Sequence, residues 1–295
     1  MLPDNLLSWT KALVKKYHLK PGQRLGQHFL IDKSVIQTIL DTAELKPGQP
    51  VLEVGGGLGT LTLFLLAAGV NLTVVELDSQ LKSVLDEYKK TSPNLKVILA
   101  DILKISDQSV KDSLQLTSDQ PWFLLANLPY EITGAFLRRW LSGNFKPNLM
   151  VLLLQREVAE RLVAPPGQLS LLGLQAQLNA QVKLVKKVKR GAFLPPPKVE
   201  SSVVSLSIYS QDQKNELLDG LSEDFFWQVA HIGFSTKRKQ LLNSLSRGLE
   251  MDRGLLTEII LSLGLKITSR PQELSVKDWI RLCKKLIKCD LNFKK

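Results

Sequence analysis

The sequence predicts an α/β fold with a mostly parallel β-sheet, followed by a small all-helical domain. From Val51 onward, short and nearly continuous apolar segments alternate with segments of helical spacing, as in sheets covered by helices on both faces. A glycine cluster directly follows the first apolar segment, and after about residue 210 only helical spacing remains. We therefore place one domain at residues 1–210 and a second at residues 211–295.

The chain begins with a predicted amphipathic helix that carries Lys11, Lys15 and Lys16 on its polar side. The segment PGQRLGQHFL at 21–30 interrupts regular structure through its proline and glycines. Asp32 is then expected to cap a second helix, over residues 33–45.

The sheet is predicted from five apolar segments separated by helices. The helices are expected at 60–68, 79–89 and 132–141. The five strands are VLEV (51–54), LTVVE (72–76), KVILA (96–100), WFLLA (122–126) and NLMVLLLQ (148–155). Period-two alternation at 182–188 and 201–209 predicts two further strands at the far side of the sheet, joined by the loop GAFLPPPK.

The C-terminal region is predicted to be a domain of about 80 residues. QDQKNE, which follows Ser210, is interpreted as a polar linker. Helices are expected at 224–233, 239–247, 255–263 and 275–287.

Composition favours a globular protein with an anionic partner. The chain has 295 residues, 44% of them hydrophobic, and a formal net charge of +11, which favours nucleic acid as the partner; a merely basic enzyme is the alternative. Two cysteines six residues apart fit neither a disulfide nor a metal site, so a reducing cytosol is expected. There is neither a signal-peptide pattern nor an apolar run of membrane-spanning length, so we expect an intracellular, soluble protein.

The loop EVGGGLGT (53–60) lies between a strand and a helix, where glycine lets a ligand approach the backbone. The dinucleotide fingerprint G-x-G-x-x-G fits poorly, because Thr60 stands where its third glycine would be. S-adenosylmethionine has no phosphate and needs only close backbone approach. The E-x-G-x-G arrangement that starts at Glu53 and includes Gly55 and Gly57 favours that second cofactor.

Two carboxylates end the next strands. Glu76 is placed to accept hydrogen bonds from both ribose hydroxyls, and Asp101 from the adenine amino group. The alternative for each is a helix N-cap, although Asp78 suits that role better after the second strand. Ligands in open α/β sheets bind at the carboxyl ends of strands, where all of these elements lie.

The motif NLPYEIT (127–133) follows the fourth strand. The Asn127 side-chain oxygen and the Leu128 carbonyl, held by Pro129, offer two acceptors for both hydrogens of an exocyclic amine. Such an arrangement favours a pyramidal nitrogen whose lone pair points at a methyl donor, so that catalysis is mostly positioning. Tyr130 is placed to stack on an extruded base. The alternative is an ordinary strand-ending turn.

These motifs together resemble the ribosomal RNA adenine dimethyltransferase family, over nearly the whole chain. They are LGQHFL (25–30), VLEVGGGLGTLT (51–62), VVELD (74–78), ADIL (100–103), NLPYEIT (127–133), FLPPPKVESSVV (193–204), FSTKRKQLLNSL (234–245) and RPQELSVKDW (270–279). The resemblance implies a Rossmann-like class I methyltransferase sheet, S-adenosylmethionine as cofactor, and a small helical RNA-binding domain. We also expect a monomer that acts in the cytoplasm.

The resemblance adds roles for individual residues. His28 and Leu30 are implied to contact the cofactor, together with Gly55, Glu76, Asp101 and Asn127. Many members have asparagine where His28 stands. Phe193 is implied to stack on the target adenine opposite Tyr130, the alternative being a core aromatic residue that anchors the loop.

Three basic segments are predicted to contact RNA phosphates, the alternative for each being a solvated charged surface. They are the N-terminal arm with Lys15, Lys16, Lys20 and Arg24, the run KKVKR (186–190), and STKRKQ (235–240) with Lys237, Arg238 and Lys239.

The favoured function is dimethylation of two adjacent adenosines near the 3′ end of small-subunit (16S) ribosomal RNA, with a role in small-subunit biogenesis. The FLPPPKV loop and the long C-terminal match favour this branch over the related resistance-type enzymes that methylate large-subunit RNA. A non-catalytic ribosome-assembly or transcription factor on the same fold is a further alternative. A nicotinamide dehydrogenase is disfavoured by Thr60.

Overall fold

The structure is a computed structural model, and it describes residues 2–20, 27–117, 120–236 and 239–289. Within these ranges no helix is both long enough and apolar enough to cross a membrane. The chain forms two compact units. The first unit comprises residues 1–160 and 180–208, and the second comprises residues 161–179 and 209–295.

The helices agree closely with the sequence prediction where apolar spacing is clear. They are α1 (Leu6–Lys16), α2 (Lys33–Ala43), α3 (Thr60–Ala67), α4 (Ser79–Lys89), α5 (Asp107–Leu114), α6 (Thr133–Ser142), α7 (Arg156–Leu162), α8 (Leu171–Asn179), α9 (Gln211–Leu218), α10 (Glu223–Phe234), α11 (Leu241–Gly248), α12 (Arg253–Ser262) and α13 (Val276–Lys288). Asp32 caps α2 and Asp78 caps α4, each through a carboxylate that accepts a backbone N–H. Both caps were predicted.

Within the described residues, seven strands form the main sheet and two form a small one. The strands are β1 (Phe29–Leu30), β2 (Pro50–Val54), β3 (Asn71–Glu76), β4 (Leu95–Leu99), β5 (Phe123–Asn127), β6 (Leu149–Gln155), β7 (Ala180–Val188), β8 (Phe193–Leu194) and β9 (Ser201–Ile208). The main sheet has the order β4-β3-β2-β5-β6-β9-β7. The first five are parallel, while β9 is antiparallel to both neighbours. This confirms the predicted mostly parallel sheet, with the two later strands on its far side.

The sheet is buried on both faces at its centre, which explains the continuous apolar strands. Val51, Leu52, Leu124 and Val151 are each 0% exposed. Because apolar side chains cover both faces, the strand order is fixed and the carboxyl ends of β2, β3, β4 and β5 are held at one edge. In the second unit, Phe226, Leu245 and Trp279 form a separate apolar core.

Two sequence interpretations differ from the structure. The predicted linker QDQKNE is wrong, because these residues begin α9, where the Ser210 and Gln213 side chains form a capping box. The segment 161–179, placed in the first domain by the prediction, belongs to the second unit, where Leu169, Leu174 and Leu178 join its core.

The small sheet was not predicted. β1 and β8 pair antiparallel, with Phe29 opposite Leu194 and Leu30 opposite Phe193. This pairing links the LGQHFL motif to the FLPPPK loop across more than 160 residues of chain. Two-residue strands carry no detectable period, so periodicity alone did not indicate them.

Candidate active site

The carboxyl ends of β2, β3, β4 and β5 open onto one cavity of about 430 Å³ in the first unit. All but one of the predicted site residues line it. These are His28, Gly55, Gly57, Glu76, Asp101, Asn127, Leu128, Pro129, Tyr130 and Phe193. Leu30 is the exception: it is buried in the core of the first unit, one residue from the cavity-lining Phe29.

The cavity also contains apolar residues that the sequence did not single out. They are Phe29, Val54, Val75, Leu77, Leu81, Ala100, Ile102, Leu103 and Ile132. Some of them could have been predicted from their position directly after a strand end. Leu77 follows β3, and Ile102 and Leu103 follow Asp101. This apolar wall provides surface on which the flat face of a heterocycle can pack.

The glycine loop turns tightly against β3. Gly57 has φ +58° and its N–H donates to Glu76 Oε2 at 2.9 Å. Gly59 has φ +83°, and a Cβ there would lie 2.3 Å from the Tyr88 ring. Both positions therefore require glycine, one for the turn and hydrogen bond and the other for packing against α4.

Glu76 is held by backbone donors on two sides. Its Oε2 accepts from Gly57, and its Oε1 accepts from the N–H groups of Leu77 and Asp78 at 2.8 and 2.9 Å. A carboxylate has about four lone-pair positions, so roughly one is left for a ligand hydroxyl in this geometry. Burial raises the pKa of Glu76, and these N–H groups act in the opposite direction.

Glu53 lies beneath the loop and does not line the cavity. It is 2% exposed, and Thr62 Oγ1 donates to its Oε2 at 2.7 Å. Burial, with a smaller contribution from the nearby Glu76 charge, raises the pKa of Glu53 to about 8. Glu53 therefore retains its proton at neutral pH, whereas at Glu76, whose pKa burial also raises, three backbone N–H groups oppose that rise.

Asp101 has a local structural partner as well as a cavity position. Its Oδ1 accepts from the Leu103 N–H at 2.9 Å, and the exposed Lys104 lies 3.8 Å from Oδ2. Asp101 therefore lines the cavity and also caps a turn, whereas the N-cap of the following helix is Ser106.

Asn127 is oriented by His28, the residue that directly precedes β1. Its Nδ2 donates to the His28 carbonyl oxygen at 3.1 Å. Because a carbonyl oxygen only accepts, this contact fixes the amide nitrogen toward His28 and leaves Oδ1 as the acceptor for a ligand. Pro129 follows with φ −56° and ψ 137°, which carries the chain away from the strand.

The aromatic residues lie around the Asn127 side of the cavity. The ring centroids of His28 and Tyr130 are 6.0 Å apart, and the Tyr130 hydroxyl lies 3.1 Å from Ser201 Oγ. Burial raises the pKa of Tyr130, which keeps its phenol neutral. Phe193 is buried within the apolar core and also lines the cavity.

His28 connects Asn127 to the segment that carries Phe193. Its ring Nδ1 lies 2.8 Å from the Pro195 carbonyl oxygen. Nδ1 is therefore the donor, and in the neutral ring Nε2 is left as an acceptor. The main-chain carbonyl of His28 accepts from Asn127. His28 therefore contacts both the Asn127 side chain and the segment that follows Phe193.

Some basic side chains of the predicted RNA-binding segments are hydrogen-bonded within the protein, and others are exposed to solvent. Lys186 contacts Ser34 and Thr38, and the Arg190 guanidinium donates to Pro197 O at 2.7 Å. Lys187, Lys189 and Lys239 are exposed. Arg24, Lys237 and Arg238 lie outside the described residues. No group of three or more His, Cys, Asp or Glu in the described part of the chain is arranged to hold a metal ion.

The chain matches the family described as Ribosomal RNA adenine dimethylase over residues 19–288. It belongs to this family. The Ribosomal RNA small subunit methyltransferase A of Dehalococcoides mccartyi (strain CBDB1) is 40% identical over 279 residues, which cover 95% of this chain and 93% of the relative. The protein of the same name from Halothermothrix orenii is 35% identical, covering 91% and 89%.

Two solved structures have a similar fold. A dimethyladenosine transferase from Plasmodium falciparum superposes with a TM-score of 0.72 at 24% identity, covering 88% of this chain and 98% of that one. The 23S rRNA methyltransferase ErmE gives a TM-score of 0.69 at 26% identity, covering 88% and 99%.

Membership in the rRNA adenine dimethylase family confirms the predicted resemblance, the Rossmann-like class I fold and a methyltransferase activity. It also implies a methyl donor of the S-adenosylmethionine type. The nicotinamide dehydrogenase alternative is thereby removed.

Proposed function

We propose that this protein uses S-adenosylmethionine to dimethylate the exocyclic amines of two adjacent adenosines near the 3′ end of 16S ribosomal RNA. Its substrate is an immature small ribosomal subunit, and it acts as a cytoplasmic monomer. The curated relatives named for small-subunit RNA support the choice of substrate. The observation that carries the chemistry is the meeting of four strand ends at one cavity, with Asn127 Oδ1 left as an acceptor.

The chain has the groups that the methyl donor needs. Gly55 and Gly57 present backbone without side chains, Glu76 has capacity for a ribose hydroxyl, and Asp101 is placed for the adenine amine. The family resemblance adds His28 and Leu30, of which only His28 lines the cavity. S-adenosylmethionine supplies an electrophilic methyl group on a sulfonium. Glu76 and Asp101 are the strand-end carboxyls that line the cavity, whereas the buried Glu53 does not line it.

The acceptor base is held on the Asn127 side. Asn127 Oδ1 and the Leu128 carbonyl accept the two amine hydrogens, which localises the nitrogen lone pair and directs it toward the methyl group. Tyr130 and Phe193 bracket the base. No strong base is needed before transfer, because the alkylated nitrogen is cationic and readily releases a proton to solvent water. Catalysis is then positioning and preorganised polarity.

RNA affinity is assigned to the exposed cations and to the small helical domain. Lys187 and Lys189 in the first unit and Lys239 in the second are exposed. If they contact phosphates, log affinity falls with log salt by about 0.7 to 0.9 per contact.

A tritium-transfer assay tests the proposal. Unmethylated small subunits, naked 16S RNA and naked 23S RNA are each incubated with the protein and labelled S-adenosylmethionine, and the modified bases are mapped. Label on two adjacent adenosines of the small subunit is expected. Label on 23S RNA alone would favour the second candidate function, which the similarity to ErmE supports. Undetectable cofactor binding by calorimetry would instead favour a non-catalytic assembly factor.

A further inference from the structure

A second cavity, of about 580 Å³, lies between the C-terminal half of α1 and β8 in the first unit. Its apolar surface comes from Val14, Leu19, Leu194 and Pro195. Its rim is basic: Lys11, Lys15 and Lys20 line it and are exposed. No acidic residue is found among the described residues that line it. All of α1 (Leu6–Lys16) precedes residue 19, where the match to the family begins.

One short chain segment separates this cavity from the active-site cavity. Phe193 lines the first cavity, while the next two residues, Leu194 and Pro195, line the second. Successive side chains of a strand point to opposite sides, which explains why β8 faces both. The Pro195 carbonyl also accepts from His28, a residue of the first cavity. A ligand that fills both cavities therefore has to pass around a single strand.

The chemistry of the second cavity fits a nucleotide. Three ammonium groups at the rim attract a phosphate, and an aliphatic and proline surface packs against the face of a base. Proteins that bind single-stranded RNA combine a cationic path for the backbone with surfaces on which splayed bases pack.

The neighbouring Lys16 shows that not every lysine of α1 is available in this way. Its ammonium is 3.0 Å from a Glu87 carboxylate oxygen, and it does not line the cavity. The lysines at positions 11 and 15 make no ion pair with any other described residue.

We propose that the second cavity binds the nucleotide that directly adjoins the target adenosine. The inference rests on the proposed function, because it takes a pair of adjacent adenosines as the substrate. While one adenosine of the pair is held at Asn127, its neighbour packs on Leu194 and Pro195, and the connecting phosphate lies among the lysines of α1. The second cavity thus contributes to the selection of a dinucleotide step rather than a lone adenine.

The test compares Lys11→Gln/Lys15→Gln with Lys16→Gln in the full-length protein. We expect the double variant to raise KM for small subunits about 10-fold and to reduce the log–log salt slope of RNA binding by roughly 0.7 for each phosphate that it no longer neutralises. Lys16→Gln should change both much less. The Kd for S-adenosylmethionine and the melting temperature should stay at wild-type values in both variants, because none of these lysines lines the first cavity.

A coupling experiment identifies which phosphate the lysines bind. Small subunits are reconstituted with 16S RNA that carries a neutral methylphosphonate between the two target adenosines. With wild-type protein the modification should raise KM several-fold, and with Lys11→Gln/Lys15→Gln it should add almost nothing. Full additivity would overturn the inference, as would equal KM values for the double variant and Lys16→Gln. If wild-type protein fails to methylate small subunits at all, the proposed function itself is wrong.

Discussion

Replacing Glu53 with glutamine is expected to change how the stability of the first unit depends on pH. Glu53 is 2% exposed, and burial raises its pKa from 4.5 to about 8. Between these two pH values the folded protein keeps the proton and the unfolded chain releases it. The free energy of unfolding therefore falls as pH rises through this window, and the stabilising contribution is complete only below pH 4.5.

The magnitude follows from the size of the pKa difference. Each pH unit within the window lowers the free energy of unfolding by about 1.4 kcal/mol. The full window therefore lowers it by up to about 5 kcal/mol, and the interval from about pH 6 to pH 8 lowers it by about 2 kcal/mol. Glutamine keeps the size and an oxygen that accepts from Thr62, but it does not ionise. The variant should therefore gain about 2 kcal/mol relative to wild type as pH rises over that interval.

Amide hydrogen exchange in β2, where Glu53 lies, measures this opening free energy within the first unit. Comparing the two proteins at the same pH cancels the pH dependence of intrinsic exchange. Glu157→Gln, an exposed carboxyl on α7, is the matched control and should follow wild type. A Glu53→Gln difference that stays constant from about pH 6 to pH 8 would show that the carboxyl is already ionised at pH 6, and the burial argument would be refuted.

Three further substitutions test individual parts of the site. Glu76→Gln places an amide nitrogen against backbone N–H donors, so calorimetry should show S-adenosylmethionine binding at least about 10-fold weaker; an unchanged Kd would contradict this role. His28→Phe removes the donor to Pro195 and should raise KM for RNA several-fold. His28→Asn keeps an N–H donor and should raise KM less. Equal KM values for the two variants would contradict the positioning role of the ring. Gly59→Ala forces a Cβ into the Tyr88 ring at φ +83° and should cost about 1–3 kcal/mol, read as a lower melting temperature; a wild-type value would contradict the packing argument.

The sequence predicts the parts of the fold whose pattern is local. VLEV and WFLLA are almost entirely apolar because both faces of the sheet are covered, and the residues at their carboxyl ends line the cavity as predicted. The helix α9 was missed because its QDQKNE composition is polar, although Ser210 followed by Gln213 is a capping signature that signals its start.

Contacts between segments that are distant in the sequence could not be predicted from local patterns. The pairing of Phe29–Leu30 with Phe193–Leu194 joins segments too short to show a period, and it helps to place His28 against Asn127. The membership of residues 161–179 in the second unit likewise depends on side-chain packing between distant segments. The raised pKa of Glu53 arises from three-dimensional burial, which the motif E-x-G-x-G does not encode.

The most direct test of the account is the single-turnover rate of methyl transfer by Asn127→Ala at saturating S-adenosylmethionine, measured together with the Kd of that cofactor. Loss of a preorganised acceptor is expected to slow transfer at least about 100-fold, while the Kd changes only a few-fold. A wild-type rate would show that the amine is not held by Asn127. The convergence of strand ends at this cavity would then have no role in the chemistry.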